Sequence, residues 1–255
     1  MARLADYPLL LSVVSVFVLW AAALAGAALR RRHQLAGELR EDFGVVLAAT
    51  LTLLGLIIGF TFSMAVSRYD QRKNYEEAEA NAIGTEYVRA DLLPAAATAN
   101  VRTLLRRYLD QRIGFYTTRD PHRLAQINAE TARLQTALWT AVRSPASEQP
   151  THVVLGLAVA GMNDVLNSQG YTQAAWWNRI PSAAWALMGM IAICCNLLVG
   201  YGEHGQKTAP VLLLILPVLV AIAFLLIADI DSPTGGIIRV QPQNLVSLAE
   251  SLRTP

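Results

Sequence analysis

Four stretches of this chain run for twenty residues or more without a charged side chain, and that excludes most folds at once. They are Tyr7–Leu29, Phe43–Ser67, Ile180–Tyr201 and Ala209–Ala228. A helix rises about 1.5 Å per residue, so roughly 20 apolar residues cross a hydrocarbon core of about 30 Å. Lipid offers the backbone no hydrogen-bond partner, so such segments must satisfy themselves as helices. The predicted fold class is therefore all-α: a polytopic membrane protein with four transmembrane helices and the lipid bilayer as its first partner. The first run is longer than the apolar part of a signal peptide, and its basic cluster follows rather than precedes it, so it reads as a membrane helix. Pro181 suits the first turn of the third span, and Pro217 is expected to kink the fourth.

Charge divides the chain. Residues 68–179 hold 24 of the 40 charged side chains, 13 basic and 11 acidic. This gives transmembrane helices 1 and 2 within 1–67, a helical extramembrane insert over 68–179, helices 3 and 4 within 180–229, and a tail over 230–255 packing on the insert. Between Arg68 and Gly84 there is neither glycine nor proline, so the second span is expected to continue out of the membrane as one helix until Pro94 ends it. Within the insert, Val101, Leu104, Leu105, Tyr108 and Ile113 share a helical face. Asp120-Pro121 forms a helix start, and Leu124, Ile127, Thr131, Leu134 and Leu138 follow it at near-heptad spacing up to Ser144-Pro145. A last amphipathic helix carries Val153, Val154, Leu157, Ala158, Gly161, Met162 and Val165. Trp176, Trp177 and Trp185 are read as interfacial aromatics. Basic residues flank both ends of the spans (the RRR after the first; Arg68, Arg72, Lys73 and Arg179 elsewhere), so the positive-inside rule chooses no orientation.

The second span is the most polar of the four. Thr52, Leu56, Phe60, Ser63 and Ser67 fall within about a quarter of its circumference, with Gly55 and Gly59 beside them. Two readings of this stripe compete: a close helix–helix contact of the small-xxx-small kind, or a pore-lining face with an apolar constriction and hydroxyls at its mouths. On the extramembrane continuation, Glu76, Glu79, Ile83 and Glu86 lie on one side, either as an acidic ring around an axis or as a solvated or internally paired face.

Covalent chemistry has no support. His33, His122, His152 and His204 are scattered without ligand spacing, and no phosphate loop, nucleophile elbow or HExxH occurs, so an enzyme is not predicted. A net charge of +2 gives no reason to expect nucleic acid. The adjacent Cys194 and Cys195 read as buried small hydrophobes rather than a disulfide or metal site. No span holds a buried acid, which disfavours a proton-driven transporter.

The run GFTFSMAVSRYDQRKNYEEAEANAIG resembles the bestrophin family through Gly59-Phe60, Ser63 and Arg68-Tyr69. Asp231, Pro233, Gly235, Asn244 and Leu245, after the fourth span, carry a second resemblance. EAEANAIGTEYVRADLLP is similar to the bacterial bestrophin-like (DUF4239-type) membrane proteins. The resemblance implies a homopentamer in a bacterial cytoplasmic (inner) membrane that passes small inorganic ions without an organic cofactor: anions such as chloride above all, although bacterial members can prefer cations. It would put Thr52, Leu56 and Phe60 in a narrow neck, Ser63, Ser67 and Arg68 at its mouth, and Glu76, Glu79, Ile83 and Glu86 among the vestibule candidates, leaving Gly55 and Gly59 to helix packing. It would also put the insert on the cytoplasmic side. Animal members clasp calcium with an acidic run after the Pro-x-Gly turn. Here that place reads GIIRVQPQN, so Asp229 and Asp231 make a thin metal site, and a role in capping or pairing is expected for them. The rivals are a membrane scaffold or sensor without conduction, and an ion-powered stator-like complex.

Overall fold

The structure, a computed structural model, describes residues 7–32, 37–148, 153–202 and 211–253, with only the backbone of residues 37–41. His33, His152 and His204 lie outside the described residues. All described elements are helical: α1 (Pro8–Arg32), α2 (Gly37–Arg89), α3 (Ala95–Thr117), α4 (Pro121–Glu148), α5 (Leu155–Trp177), α6 (Ser182–Gly202), α7 (Ile215–Asp231) and α8 (Gln243–Ser251). Four helical stretches are long and apolar enough to cross a membrane: Pro8–Arg32, Asp42–Leu92, Leu155–Gly202 and Leu212–Asp231. The chain is an all-α polytopic membrane protein. It divides into two compact units, Met1–Arg68 with Arg179–Arg239 and Tyr69–Asn178 with Val240–Pro255. Helix α2, 53 residues without a break, belongs to both.

In the first unit α1 packs along α6 and α7. Two glycines allow the closest approach. A Cβ on Gly200 would sit 1.8 Å from the carbonyl oxygen of Ala23, and one on Gly26 would sit 2.0 Å from that of Leu197. Only a missing side chain lets the backbones meet at this range. The seam is closed by Leu19, Ala23, Ala192 and Asn196, and Arg30 Nη1 donates to the Tyr201 carbonyl at 2.9 Å. Cys195 is buried, its Sγ donating to the Thr50 carbonyl of α2 at 3.3 Å, whereas Cys194 is exposed, contrary to the expectation that both are interior. Pro217 falls in the first turn of α7, after a 3-10 turn at Leu212–Leu214. There its missing N–H costs no helical bond, so it shapes the start of the helix rather than kinking its middle.

The second unit is a helical bundle built on the part of α2 that begins at Tyr69. Val101, Leu105, Tyr108 and Leu109 of α3, Ile127, Leu134, Leu138 and Val142 of α4, and Leu155, Ala158, Met162 and Val165 of α5 form one core with Ala80 and Ile83 of α2 and Leu245 of α8. α4 opens as the sequence implies, with Asp120 Oδ1 accepting from the His122 N–H at 3.0 Å. It then passes through Pro145 to Glu148, not stopping before Ser144. Pro145 withholds the N–H that would bond the Ala141 carbonyl, a cost confined to the end of the helix. Val153, Val154 and Leu157 are exposed, leaving the buried stripe of α5 to Ala158, Gly161, Met162 and Val165. Trp176 is no interfacial anchor but part of the core, its ring 4.3 Å from that of Phe115 and edge-on to Tyr116. Trp177 is exposed.

Candidate functional site

The face of α2 singled out by its sequence is uncovered within the subunit. Thr52, Leu56, Phe60, Ser63 and Ser67 are all exposed, whereas Leu54, Thr61 and Ala65, on the opposite side of the same turns, are buried. Leu56 and Phe60 are 52% and 62% exposed. In the most apolar stretch of α2 only 6% of the residues are buried, against 50% for Leu212–Asp231. Thr52 Oγ1 donates back to the Ala48 carbonyl at 2.9 Å, so its hydroxyl is satisfied by its own helix. A Cβ at Gly55 or Gly59 would meet nothing within 4 Å. Nothing inside the subunit uses their small size, unlike that of Gly26 and Gly200.

Arg68, at the end of this stretch, turns into the unit. Asp231 lies 3.7 Å from Arg68 Nη1 and 3.5 Å from Arg179 Nε, and both its oxygens accept from the Ile180 N–H at 3.2 Å. One carboxylate thus ties together the end of the apolar stretch of α2, the segment entering α6 and the end of α7. Asp229 accepts from the backbone N–H groups of Ile237 and Ile238 at 2.8 and 2.7 Å, and the Ser232 hydroxyl accepts from the Gly235 N–H at 3.1 Å. Gly236 is required there, because a Cβ would lie 2.3 Å from the Asp229 carbonyl oxygen. Asp229 faces backbone N–H donors, and Asp231 an N–H and two guanidinium groups, so both carboxylates are engaged by donors and leave little for a cation. Among the described residues no group of three or more His, Cys, Asp or Glu side chains is placed to hold a metal ion.

The structure puts the acidic face of the continuation inside the second unit. Glu76, Glu79, Ile83 and Glu86 are buried in the subunit, so none of them lies on a surface within it. Glu76 accepts from the Leu245 N–H at 3.0 Å and from Asn244 Nδ2 at 2.7 Å, placing negative charge at the N-terminus of α8. Glu79 pairs with Arg112 through Nε and Nη2 and accepts from the Thr172 hydroxyl at 3.2 Å. The Arg112 guanidinium lies over the Phe115 ring at 4.4 Å. Burial and the nearby Glu79 raise the phenol pKa values of Tyr108 and Tyr116 well above the ordinary range, so both stay neutral. Burial also pushes the Glu86 carboxyl up to about 8, with Asp164 adding to the rise and Arg89 opposing it. The exposed positions of this stretch of α2 instead include Asp70, Lys73, Asn74, Glu77, Asn81 and Thr85. At 100° per residue Asp70, Asn74, Glu77 and Asn81 stay within about 40° of the Thr52–Leu56–Ser63 stripe.

These features define a class: a four-span helical membrane protein with a large helical insert between its second and third spans. The family model of the bestrophin-like domain matches residues 12–245. The chain belongs to the bestrophin-like family. Solved structures agree on the fold. Two crystal structures of point mutants of a bacterial bestrophin homologue from Klebsiella pneumoniae superpose with a TM-score of 0.62. One shares 13% identity and covers 94% of this chain and 97% of that one; the other shares 14% and covers 96% and 97%. No curated protein matches this chain.

Proposed function

We propose that this protein is a homo-oligomeric channel for small ions, with α2 lining the path. The observation that carries this reading is the uncovered stripe of Thr52, Leu56, Phe60, Ser63 and Ser67 on the least covered membrane helix of a bestrophin-like chain. Five copies around an axis would set Thr52, Leu56 and Phe60 into a neck whose apolar rings pass ions by wetting and block them by drying. Ser63 and Ser67 would stand at its mouth, with Arg68 supporting the rim through Asp231. Gly55 and Gly59 would let neighbouring copies approach, since nothing in their own subunit does. The wall of the vestibule falls to Asp70, Asn74, Glu77 and Asn81, which the subunit leaves exposed, in place of the buried Glu76, Glu79 and Glu86. Anions such as chloride are the expected cargo, in a bacterial cytoplasmic membrane, and neither an enzymatic step nor an organic cofactor is needed.

The test is conductance of the purified protein in planar bilayers. Leu56→Ala with Phe60→Ala widens the neck and should raise single-channel conductance several-fold. In a potassium chloride gradient the reversal potential should move toward that of chloride. Silence of both wild type and variant would sink the proposal.

A further inference from the structure

Five buried carboxylates can be compared. Glu76, Glu79, Asp229 and Asp231 each accept N–H or O–H donors. Glu86 differs: its side chain is wholly buried, and neither oxygen has a hydrogen-bond partner. It stands where α2 meets α5. A Cβ on Gly161 would lie 2.2 Å from Glu86 Oε2 and 2.6 Å from Arg89 Nη1. Bare backbone therefore presses on the carboxyl, with no side chain to answer it.

A buried charge without donors is costly, and a group in that position takes a proton instead. The charged neighbours do not reverse this. Arg89, on the same helix, favours the ionised form, while Asp164 of α5 opposes it. Arg102 of α3 is engaged elsewhere, 2.7 Å from Asp91 and 3.3 Å from the Tyr87 carbonyl. α8 meets the other side of α2, where Leu248 touches Gly84.

We propose that Glu86 is a proton-binding site that latches α2 to α5: the seam is closed with the carboxyl protonated and loosens when the proton leaves. The carboxyl titrates near 8 in the folded protein against an ordinary 4.5. The folded state therefore holds a proton that the unfolded state has released, and stability falls as pH rises between those values, then levels off.

The test uses the full chain in detergent, wild type beside Glu86→Gln. Relative to the variant, the wild-type unfolding equilibrium constant should rise about tenfold per pH unit from roughly pH 5 to 8 and stay flat above. Infrared difference spectra should show a protonated carboxyl band at pH 7 that fades above pH 8 and is missing in Glu86→Gln. Asp164→Asn removes the like charge and should move that titration to lower pH. If Glu86→Gln does not fold, the wild-type band and its shift in Asp164→Asn still decide. Equal pH profiles for wild type and Glu86→Gln, absence of the band at pH 7, or a titration unmoved by Asp164→Asn would overturn the proposal.

Discussion

Gly200→Ala probes the contact that holds the first unit together. The new methyl carbon would start 1.8 Å from the Ala23 carbonyl oxygen and 2.7 Å from its carbon. A carbon and a carbonyl oxygen tolerate about 3.3 Å, so α1 and α6 would have to part by roughly 1.5 Å. The clash is with backbone, so no rotamer relieves it. A radial gap of even about 1 Å forfeits up to half of each dispersion contact along the seam. Overpacking of this kind costs about 3 kcal/mol at its upper range, and the helix-propensity gain of alanine over glycine returns about 1 kcal/mol. The net loss is about 2 kcal/mol, read as a lower denaturation midpoint in detergent. Gly55→Ala supplies the control. Its methyl meets nothing in the subunit, so subunit stability should hold or rise, and any loss should appear in the oligomer. Equal stability of Gly200→Ala and wild type would refute the argument.

Other consequences follow from the second unit. Glu79→Ala strands the wholly buried Arg112 guanidinium and should cost about 3–5 kcal/mol, seen as early unfolding of the purified protein. Replacing both partners by apolar residues of similar volume should recover most of that loss, because the pair's own desolvation disappears with it.

The spans and the helix that outruns the membrane were legible because each depends on local sequence. Charge-free length defines the first, and the absence of glycine and proline after Arg68 defines the second. Periodicity also placed Glu76, Glu79 and Glu86 on one face correctly. Which way that face turns depends on Arg112 and Leu245, far along the chain, and no local pattern announces such partners. Gly26 and Gly200 were hidden for a related reason. Their helices are rich in small residues, and only the meeting of Ala23 with Gly200 shows which glycine is used. The prominent pair, Gly55 and Gly59, has no contact in the subunit. Trp176 looked interfacial by position, yet Phe115 and Tyr116 claim it for the core.

The central claim is that the exposed stripe of α2 surrounds an axis. A single-particle image of the purified oligomer in lipid, viewed down its symmetry axis, tests it most directly. The account predicts a ring of subunits with Leu56 and Phe60 at the narrowest point of a continuous path. An axis closed by lipid, or one faced by the buried side of α2 through Leu54 and Ala65, would contradict it.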